Sequence, residues 1–345
     1  MEGDLLPVVL EASIKIALCF GVMLTTVAYM TWVERRVSAW IQDRRGPNRV
    51  GPFGLLQPVA DGIKFLFKET VLPPHAHRTI YLLAPALIFI PSMVTFAVVP
   101  FGPTVRLFGR DIALQIADVD VGVLVILAFS SLGVYGVVLA GWSSNNKYSL
   151  MGGLRSSAQL ISYELALGIA VVGVLMATGS LRLSDVVTHQ AEHGWNLLWQ
   201  LPGFLIFLTA AFAETNRLPF DLPEAETELV AGYHTEYSGM RFSMFYMAEY
   251  ANMVTASALA VTLYCGGYHV PGLGRLGLPG AAAAIVQTAA FSLKVALFLF
   301  VYVWVRWTIP RFRYDQLMNL GWKVLLPAAL VHVGWVAFLV LIGWA

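Results

Sequence analysis

Long apolar runs separated by short polar segments dominate the chain, and their length is the first structural signal. A helix needs about 20 predominantly apolar residues to cross the hydrocarbon core of a membrane. Eight runs reach that length, so the sequence predicts an all-α integral membrane protein with about eight transmembrane helices. No internal repeat divides the chain, which predicts one polytopic membrane domain over 1–345. The predicted spans are roughly 8–32, 80–101, 121–141, 158–179, 195–213, 242–266, 281–306 and 324–345.

Basic residues are unequally distributed between the two sets of loops, and this predicts the orientation. Inner loops of membrane proteins carry an excess of Lys and Arg. Here 16 of these residues lie at or after the ends of spans 1, 3, 5 and 7, with Arg306 included, against 4 after spans 2, 4 and 6. Both termini are therefore predicted on the outer, periplasmic side. The opening segment has no Lys or Arg, unlike a cleavable signal, so the first run is expected to stay as a span.

The first inner loop, 33–79, contains a different kind of helix. Within GLLQPVADGIKFLFKE, apolar residues recur at steps of three and four on one face and polar residues on the other. That pattern predicts an amphipathic helix over 54–69 that lies in the membrane interface. This helix either rests on the lipid surface with no further role or borders an opening for a lipid-soluble molecule. Composition alone favours the first alternative. Five arginines precede it within fifteen residues, for which a topology anchor at anionic lipid is an equal alternative to a functional role.

Composition agrees with the membrane class and narrows the chemistry. The chain is 58% hydrophobic with a mean hydropathy of +0.69, and only 12% of it is charged, about half the usual share of a soluble domain. Its net charge of +1 gives no general attraction to nucleic acid. The two cysteines, Cys19 and Cys265, are too few and too far apart for an iron–sulfur cluster, a zinc site or a disulfide framework. The sequence therefore predicts no metal site and no redox centre in this chain.

Ionisable residues inside the apolar runs are candidate functional groups. Glu164 and Glu249 lie about six and seven residues into spans 4 and 6, roughly 10 Å below the inner surface at 1.5 Å per residue. Glu34 closes span 1 at the same surface, and Lys294 lies near the middle of span 7. Charges in hydrocarbon cost a few kcal/mol, so they are functional by default. The alternative is a structural ion pair or a neutral, hydrogen-bonded acid, and the role of Lys294 stays open.

The third inner loop, 213–241, is acidic on the side where basic residues are expected. Six acids and a single arginine, Arg217, lie between Ala213 and Tyr237. Crowded carboxylates in a partly dry place cannot all ionise, so some pKa values are expected to rise toward neutrality and allow proton exchange near pH 7. A solvated acidic surface that docks a basic partner is the alternative. The six acids are Glu214, Asp221, Glu224, Glu226, Glu228 and Glu236.

Five segments of the chain together resemble one known family. ERRVSAWIQDRRGPNRVGPFGLLQPVADGIK and AETNRLPFDLPEAETELVAGYHTEYSG resemble its first and third inner loops. SAQLISYELALG, FYMAEYANM and IPRFRYDQLMNLGWK are similar to its remaining signatures. The family is the quinone-chamber membrane subunit, called the H subunit or subunit 1, of proton-pumping NADH:quinone oxidoreductase, respiratory complex I. The resemblance covers nearly the whole chain.

This resemblance implies an activity and assigns roles by matching motif. It implies a membrane protein that docks a hydrophilic arm carrying FMN and iron–sulfur clusters, forms much of the tunnel for quinone, expected to be ubiquinone, and couples quinone reduction to proton translocation. The amphipathic helix would then frame the quinone entrance. The implied tunnel residues are Glu34, Arg35, Arg36, Arg45 and Asp61. The implied proton-path residues are Glu164, Glu214, Asp221, Glu224, Glu226, Glu228 and Glu249.

The same resemblance implies partners and a location, and it leaves alternatives. Expected partners are hydrophilic-arm subunits near the last iron–sulfur cluster, small membrane subunits, antiporter-like subunits and membrane lipid, but not nucleic acid. The expected location is the bacterial inner membrane, with the mitochondrial inner membrane as the alternative. A homologous component of another donor-driven complex, such as a membrane hydrogenase, is the nearest competing interpretation. A stand-alone ion transporter and a passive scaffold are the others, although the sequence shows no inverted repeat of the transporter kind.

Overall fold

The computed structural model describes residues 5–107, 110–222, 230–273 and 279–343. Within those ranges the fold is a bundle of helices with one small hairpin. The helices are α1 (Leu5–Ile41), α2 (Gln57–Phe67), α3 (Arg78–Val94), α4 (Gly122–Ser143), α5 (Lys147–Thr178), α6 (Leu183–His193), α7 (Leu201–Glu214), α8 (Gly239–Tyr264), α9 (Gly280–Thr308), α10 (Tyr314–Asn319) and α11 (Leu326–Leu341). The strands are β1 (Thr104–Leu107) and β2 (Arg110–Ala113).

Six helices in the described ranges are long and apolar enough to cross a membrane, which confirms the membrane class. They are Val9–Ile41, Arg78–Val98, Gly122–Ser143, Lys147–Thr178, Gly280–Thr308 and Tyr314–Leu341. The two other predicted spans correspond to α7 and α8. α7 is apolar but has only 14 residues, or about 21 Å at 1.5 Å per residue. α8 has 26 residues and is largely buried inside the bundle. The count of eight spans and the orientation of the termini stay predictions.

α5 and α8 form the centre of the bundle. α5 packs against α4, α7 and α11, and α8 packs against α1, α3 and α9. Both helices bury many small side chains, which allow close approach between helix backbones in a membrane. The outer helices instead expose large apolar side chains, such as Val22 and Leu293, each about two-thirds or more exposed. That inside-out distribution suits lipid contact and places the polar chemistry in the interior.

Two helices are longer than their apolar runs predicted. α1 continues to Ile41, nine residues beyond the predicted end at 32, and α5 begins at Lys147 rather than near 158. Apolar composition marks only the part of a helix that lies in hydrocarbon, whereas the backbone hydrogen bonds continue into the polar region. As a consequence, Glu34 lies inside α1 rather than at its end.

The hairpin between α3 and α4 was not predicted from the sequence. Strands β1 and β2 pair antiparallel, with Thr104 opposite Ala113 and Leu107 opposite Arg110. Arg106 lies opposite Asp111, an opposite-charge pair across the two strands. The alternation of polar and apolar residues in TVRL is the local signal that indicated the first strand.

Candidate functional site

A buried glutamine fixes the start of the acidic loop against the bundle. Gln159 on α5 is fully buried, and its Nε2 lies 2.8 Å from the carbonyl oxygen of Ala213 and 2.8 Å from that of Phe220. The same amide nitrogen lies 3.2 Å from Oδ1 of Asn216. The chain from the end of α7 to Phe220 is therefore folded around one side chain of α5. This fold turns Arg217 toward the interior.

Arg217 links two acids that lie far apart in sequence. Its side chain is 5% exposed, and its guanidinium lies 3.7 Å from Oε2 of Glu34 and 3.6 Å from Oε2 of Glu249. The guanidinium also lies over the ring of Tyr250, 4.2 Å from its centre. The structure places this arginine between α1 and α8. Glu34 and Glu249, predicted near one surface, are thus joined through a shared cation.

The Glu34 carboxylate has two further partners. Tyr250 donates its hydroxyl proton to Oε2 at 2.5 Å, and the Arg306 guanidinium on α9 donates to Oε1. Tyr233 in the acidic loop donates to Oε1 of Glu249 at 3.3 Å. Two carboxylates and two guanidiniums therefore balance in charge within this group, which we name the arginine cluster (Glu34, Arg217, Glu249 and Arg306). Buried charges persist when they are paired and hydrogen-bonded in this way.

A second group of acids lies between α4, α5 and α7. Ser130 Oγ donates to Glu214 at 2.6 Å, and Ser131 Oγ donates to Glu164. The two acids line one cavity of about 40 Å3, which is large enough for an ordered water. Within the described residues, neither carboxylate has an Arg or Lys nitrogen within salt-bridge distance. The cavity is lined by Ser130, Gly133, Val134, Val137, Leu160, Glu164, Glu214, Asn216 and Asn252.

The cavity lies next to the arginine cluster. Asn216 in its wall immediately precedes Arg217, and Asn252 is three residues from Glu249 on α8. Residues three apart on a helix share a face. The predicted set of acids is thus resolved into two adjacent groups, one neutralised by arginines and one held by serine hydroxyls.

The remaining described acids of the loop have separate partners. Arg311 donates to Oδ2 of Asp221 at 2.9 Å, which ties the loop to the segment after α9. Asn146, at the start of α5, donates to Oε1 of Glu236 at 2.6 Å. Three predicted proton-path residues lie outside the described residues, namely Glu224, Glu226 and Glu228.

The end of the acidic loop is fastened to α3 by two tyrosines. The Tyr81 hydroxyl donates to the carbonyl of Glu236 at 2.7 Å, and the Tyr237 hydroxyl donates to the carbonyl of Tyr81 at 3.1 Å. Their rings stack with centres 4.1 Å apart. Burial raises the pKa of the Tyr237 phenol, so it stays a neutral donor. The loop is therefore anchored at both ends.

The first inner loop carries the other predicted residues. Arg35 Nη1 lies 2.9 Å from Oδ2 of Asp61 and so bridges α1 and α2. Gln57 donates to Oδ1 of Asp61 at 3.1 Å, and Lys64 Nζ lies 3.7 Å from the same oxygen. This group is partly exposed to solvent, unlike the arginine cluster. It positions α2 beside the inner part of α1.

Arg36 holds the turn that leads into α2. Its Nη2 donates to the carbonyl of Phe53 at 2.7 Å, and Trp32 Nε1 donates to the same oxygen at 3.3 Å. Gly54 follows with a φ of 76°, where a Cβ would lie 2.3 Å from the carbonyl oxygen of Pro47. Only glycine fits this close approach. The arginine and the glycine together fix where α2 begins.

α2 presents an apolar face away from the bundle. It contacts α8 through Phe65 and Phe242, whose ring centres are 6.4 Å apart. Arg45, the remaining predicted tunnel residue, is exposed in the loop after α1. A helix forms where the amphipathic pattern predicted one, and its outward apolar side chains are Val59, Ile63, Leu66 and Phe67, each more than half exposed.

Lys294, whose role the sequence left open, caps the C-terminal end of α8. Its Nζ donates to the carbonyls of Cys265, Gly267 and His269 at 2.8, 2.9 and 3.0 Å. It also lies 4.7 Å from the ring centre of Trp195. These carbonyls follow the last turn of α8 and have no helical partners of their own. The contacts indicate a structural role.

Several functional candidates were missed by sequence reasoning. Arg306 and Arg311 were counted only as inner basic residues, and Gln159 was not singled out. Ser130 and Ser131 form a pair of hydroxyls within an otherwise apolar span, and that pair was a usable signal, since polar side chains in membrane helices bond across to neighbouring helices.

Comparison with known proteins gives a consistent picture. A sequence model of the family described as NADH dehydrogenase matches residues 14–337. The NADH-quinone oxidoreductase H subunit from Thermomicrobium roseum is 54% identical over 323 residues, covering 91% of each chain. The second H subunit from Geobacter sulfurreducens is 52% identical over 343 residues, covering 99% of this chain and all of the relative. The first H subunit from Cytophaga hutchinsonii is 48% identical over 324 residues, covering 94% and 95%.

Proposed function

This chain belongs to the NADH dehydrogenase family, among the H subunits of NADH-quinone oxidoreductase, and from that premise we propose that it forms the quinone entrance and couples quinone reduction to proton translocation. The chain is a membrane subunit of an enzyme complex. The proposal adds a role to each of the two acid groups and to the first inner loop.

The observation that carries the proposal is that two unlike groups of acids lie side by side. The arginine cluster is balanced in charge, and it ties α1, α8 and α9 to the acidic loop. Beside it, Glu164 and Glu214 face a common cavity with serine hydroxyls as partners. Two negative charges so close together and partly buried are unfavourable, so such a pair is suited to hold a proton. A change of charge near the arginine cluster would then change how many protons the pair of acids holds.

The entrance is proposed between α1, α2 and α8. The Arg35–Asp61 bridge and the Arg36 contact to Phe53 hold α2 against α1, while the Phe65–Phe242 contact holds it against α8. The outward apolar face of α2 suits the membrane interface. Quinone carries a polar headgroup on an apolar tail, so an opening with this mixed lining suits it.

Electron carriers are proposed to come from partner subunits. Iron–sulfur clusters are held by several cysteine thiolates, whereas this chain has two cysteines, one on α1 and one after α8. The donor set therefore does not fit a cluster. We place FMN and the clusters in a hydrophilic arm, with ubiquinone as substrate, and the small and antiporter-like membrane subunits as neighbours in a bacterial inner membrane.

The test is a Glu164→Gln variant in the assembled complex. Glutamine keeps the size of the side chain and removes its proton exchange. We expect NADH:quinone turnover and proton pumping to fall several-fold, while NADH:ferricyanide activity, which needs no quinone site, stays normal. Glu192→Gln, on the exposed surface of α6, is the matched control and should behave as the native complex. Normal turnover and a normal proton-to-electron ratio in Glu164→Gln would refute the coupling role.

A further inference from the structure

A pair of buried polar side chains lies at the other end of α7 from Glu214. His332 on α11 is 3% exposed, and Gln200, which immediately precedes α7, is fully buried. Both ring nitrogens of His332 and both amide atoms of Gln200 have no hydrogen-bond partner among the described residues. Most buried polar side chains in native proteins have at least one partner. Four such atoms in one place therefore indicate an additional ligand.

Two glycines make room for this pair. A Cβ at Gly203 would lie 2.2 Å from His332 Nε2, so the imidazole rests directly on the backbone of α7. A Cβ at Gly173 on α5 would lie 3.0 Å from His332 Nε2 and 3.4 Å from Gln200 Oε1. The space that a side chain at position 173 would occupy therefore borders both the His332 imidazole and the Gln200 amide.

Water is the ligand whose chemistry fits these atoms. A neutral imidazole offers one donor and one acceptor, and an amide offers both as well. A water molecule that donates to one group and accepts from the other satisfies both, and such buried waters typically make about three hydrogen bonds. An apolar ligand would leave the orphaned atoms unpaired, and an unpaired buried polar atom is unfavourable.

Glu214 and Gly203 lie about three turns apart on the same face of α7, so the acid pair and this place lie along one side of that helix. Gly173 lies nine residues from Glu164, or about 14 Å at 1.5 Å per residue. Between them, the fully buried Tyr264 donates its hydroxyl proton to the carbonyl of Ala170 at 3.4 Å. A carboxyl, a phenol and an imidazole thus lie at three levels along α5, with Glu164 and Gly173 on opposite sides of that helix because nine residues make two and a half turns. Proton transfer between such levels needs water in the gaps.

We propose that His332 and Gln200 hold an ordered water beside Gly173, and that this hydrated site passes protons between the acid pair and the end of the bundle opposite the arginine cluster. This inference rests on the proposed function, because it extends the path of which Glu164 and Glu214 are the start. His332 is the group that accepts and releases the proton, and Gln200 positions the water.

The first test is the position of water in the assembled complex. A cryo-electron microscopy map that resolves ordered water is expected to show density within hydrogen-bond distance of both His332 and Gln200. Clear maps of the two side chains with no density between them would overturn the inference. This measurement uses the native protein, so it does not depend on whether a variant folds.

The second test uses a matched pair of glycine variants. Gly173→Ala places a methyl group beside His332 Nε2, whereas Gly168→Ala, five residues earlier on α5, meets no atom within 4 Å. Both changes alter helix propensity equally. We expect Gly173→Ala to lose the water density and to pump fewer protons per electron, with Gly168→Ala unchanged.

His332→Leu completes the test, because leucine keeps the bulk and removes both nitrogens. We expect it to share the loss of pumped protons per electron. Normal ratios in both His332→Leu and Gly173→Ala would overturn the inference even with water present. If Glu164→Gln lowers the ratio in the same assay, the proposed function stands and only this extension fails.

Discussion

Glu164 and Glu214 face one cavity, and each accepts a hydrogen bond from one of two consecutive serines of α4. Ser130 and Ser131 are adjacent, so their side chains diverge around the helix and reach acids on two different helices, α5 and α7. This arrangement supplies a donor to each carboxylate, and no Arg or Lys nitrogen of the described ranges pairs with either one. Under the proposed function, a change of charge at the adjacent arginine cluster acts on this pair.

Removing the serine donors is expected to disturb the acid pair. A hydrogen bond to a charged group contributes about 1.5–3 kcal/mol, and its loss disfavours the ionised carboxylate. We expect Ser130→Ala and Ser131→Ala to slow NADH:quinone turnover severalfold, since each change leaves one carboxyl of the pair without its hydroxyl donor. Ser157→Ala on α5, whose hydroxyl donates to the carbonyl of Leu154 within the same helix, is the control. Native turnover in both α4 variants would mean that the hydroxyls do not tune the acids.

Glu34 and Arg306 of the arginine cluster are expected to be strongly coupled in their effect on the stability of the complex. Glu34→Gln leaves one excess positive charge, Arg306→Met leaves one excess negative charge, and the double variant restores the balance between Arg217 and Glu249. Breaking a buried pair singly costs about 3–5 kcal/mol, because a charge is left uncompensated. We therefore expect both single variants to lower the yield and thermal stability of the complex.

The double variant should be more stable than the sum of the two single losses predicts. Thermal unfolding of the purified complex, followed for all four species of the cycle, measures the coupling. Additive losses would show that Glu34 and Arg306 do not compensate each other in the assembled protein.

The features that could be predicted from the sequence are those that depend on residues close together along the chain. The six long apolar helices follow from local composition, and α2 follows from a local period of polar and apolar positions. These features need no knowledge of which helices touch.

The pairing of the charges could not be predicted in this way. Arg306 and Glu34 are 272 residues apart, and their contact exists only because α1 and α9 pack together. Arg217 has acids on both sides in the sequence, yet its turn around Gln159 aims it at α1 and α8. Partner choice of this kind is set by tertiary packing, which a single sequence does not reveal.

Lys294 provides a case in which an intramembrane charge is structural. Lys294→Met removes the donor for three carbonyls after α8, and we expect a loss of about 1–3 kcal/mol in stability from these unpaired groups. Thermal stability should fall, while the number of protons pumped per electron stays native. Lys323→Met, which removes an exposed lysine, is the control. A lower proton ratio in intact Lys294→Met complex would instead place this lysine on the proton path.

Arg36 is expected to affect quinone access through the position of α2. Its guanidinium donates to the carbonyl of Phe53, at the turn that sets where α2 begins. Arg36→Ala removes that donor and leaves α2 less firmly held to α1, so we expect a higher apparent KM or a lower maximal rate for quinone. NADH:ferricyanide activity should stay native, because the change lies at the proposed entrance and this activity needs no quinone site. Arg44→Ala removes an exposed arginine from the same loop, one that bonds Gln42, and serves as the control. An unchanged quinone titration in Arg36→Ala would remove this arginine from the entrance.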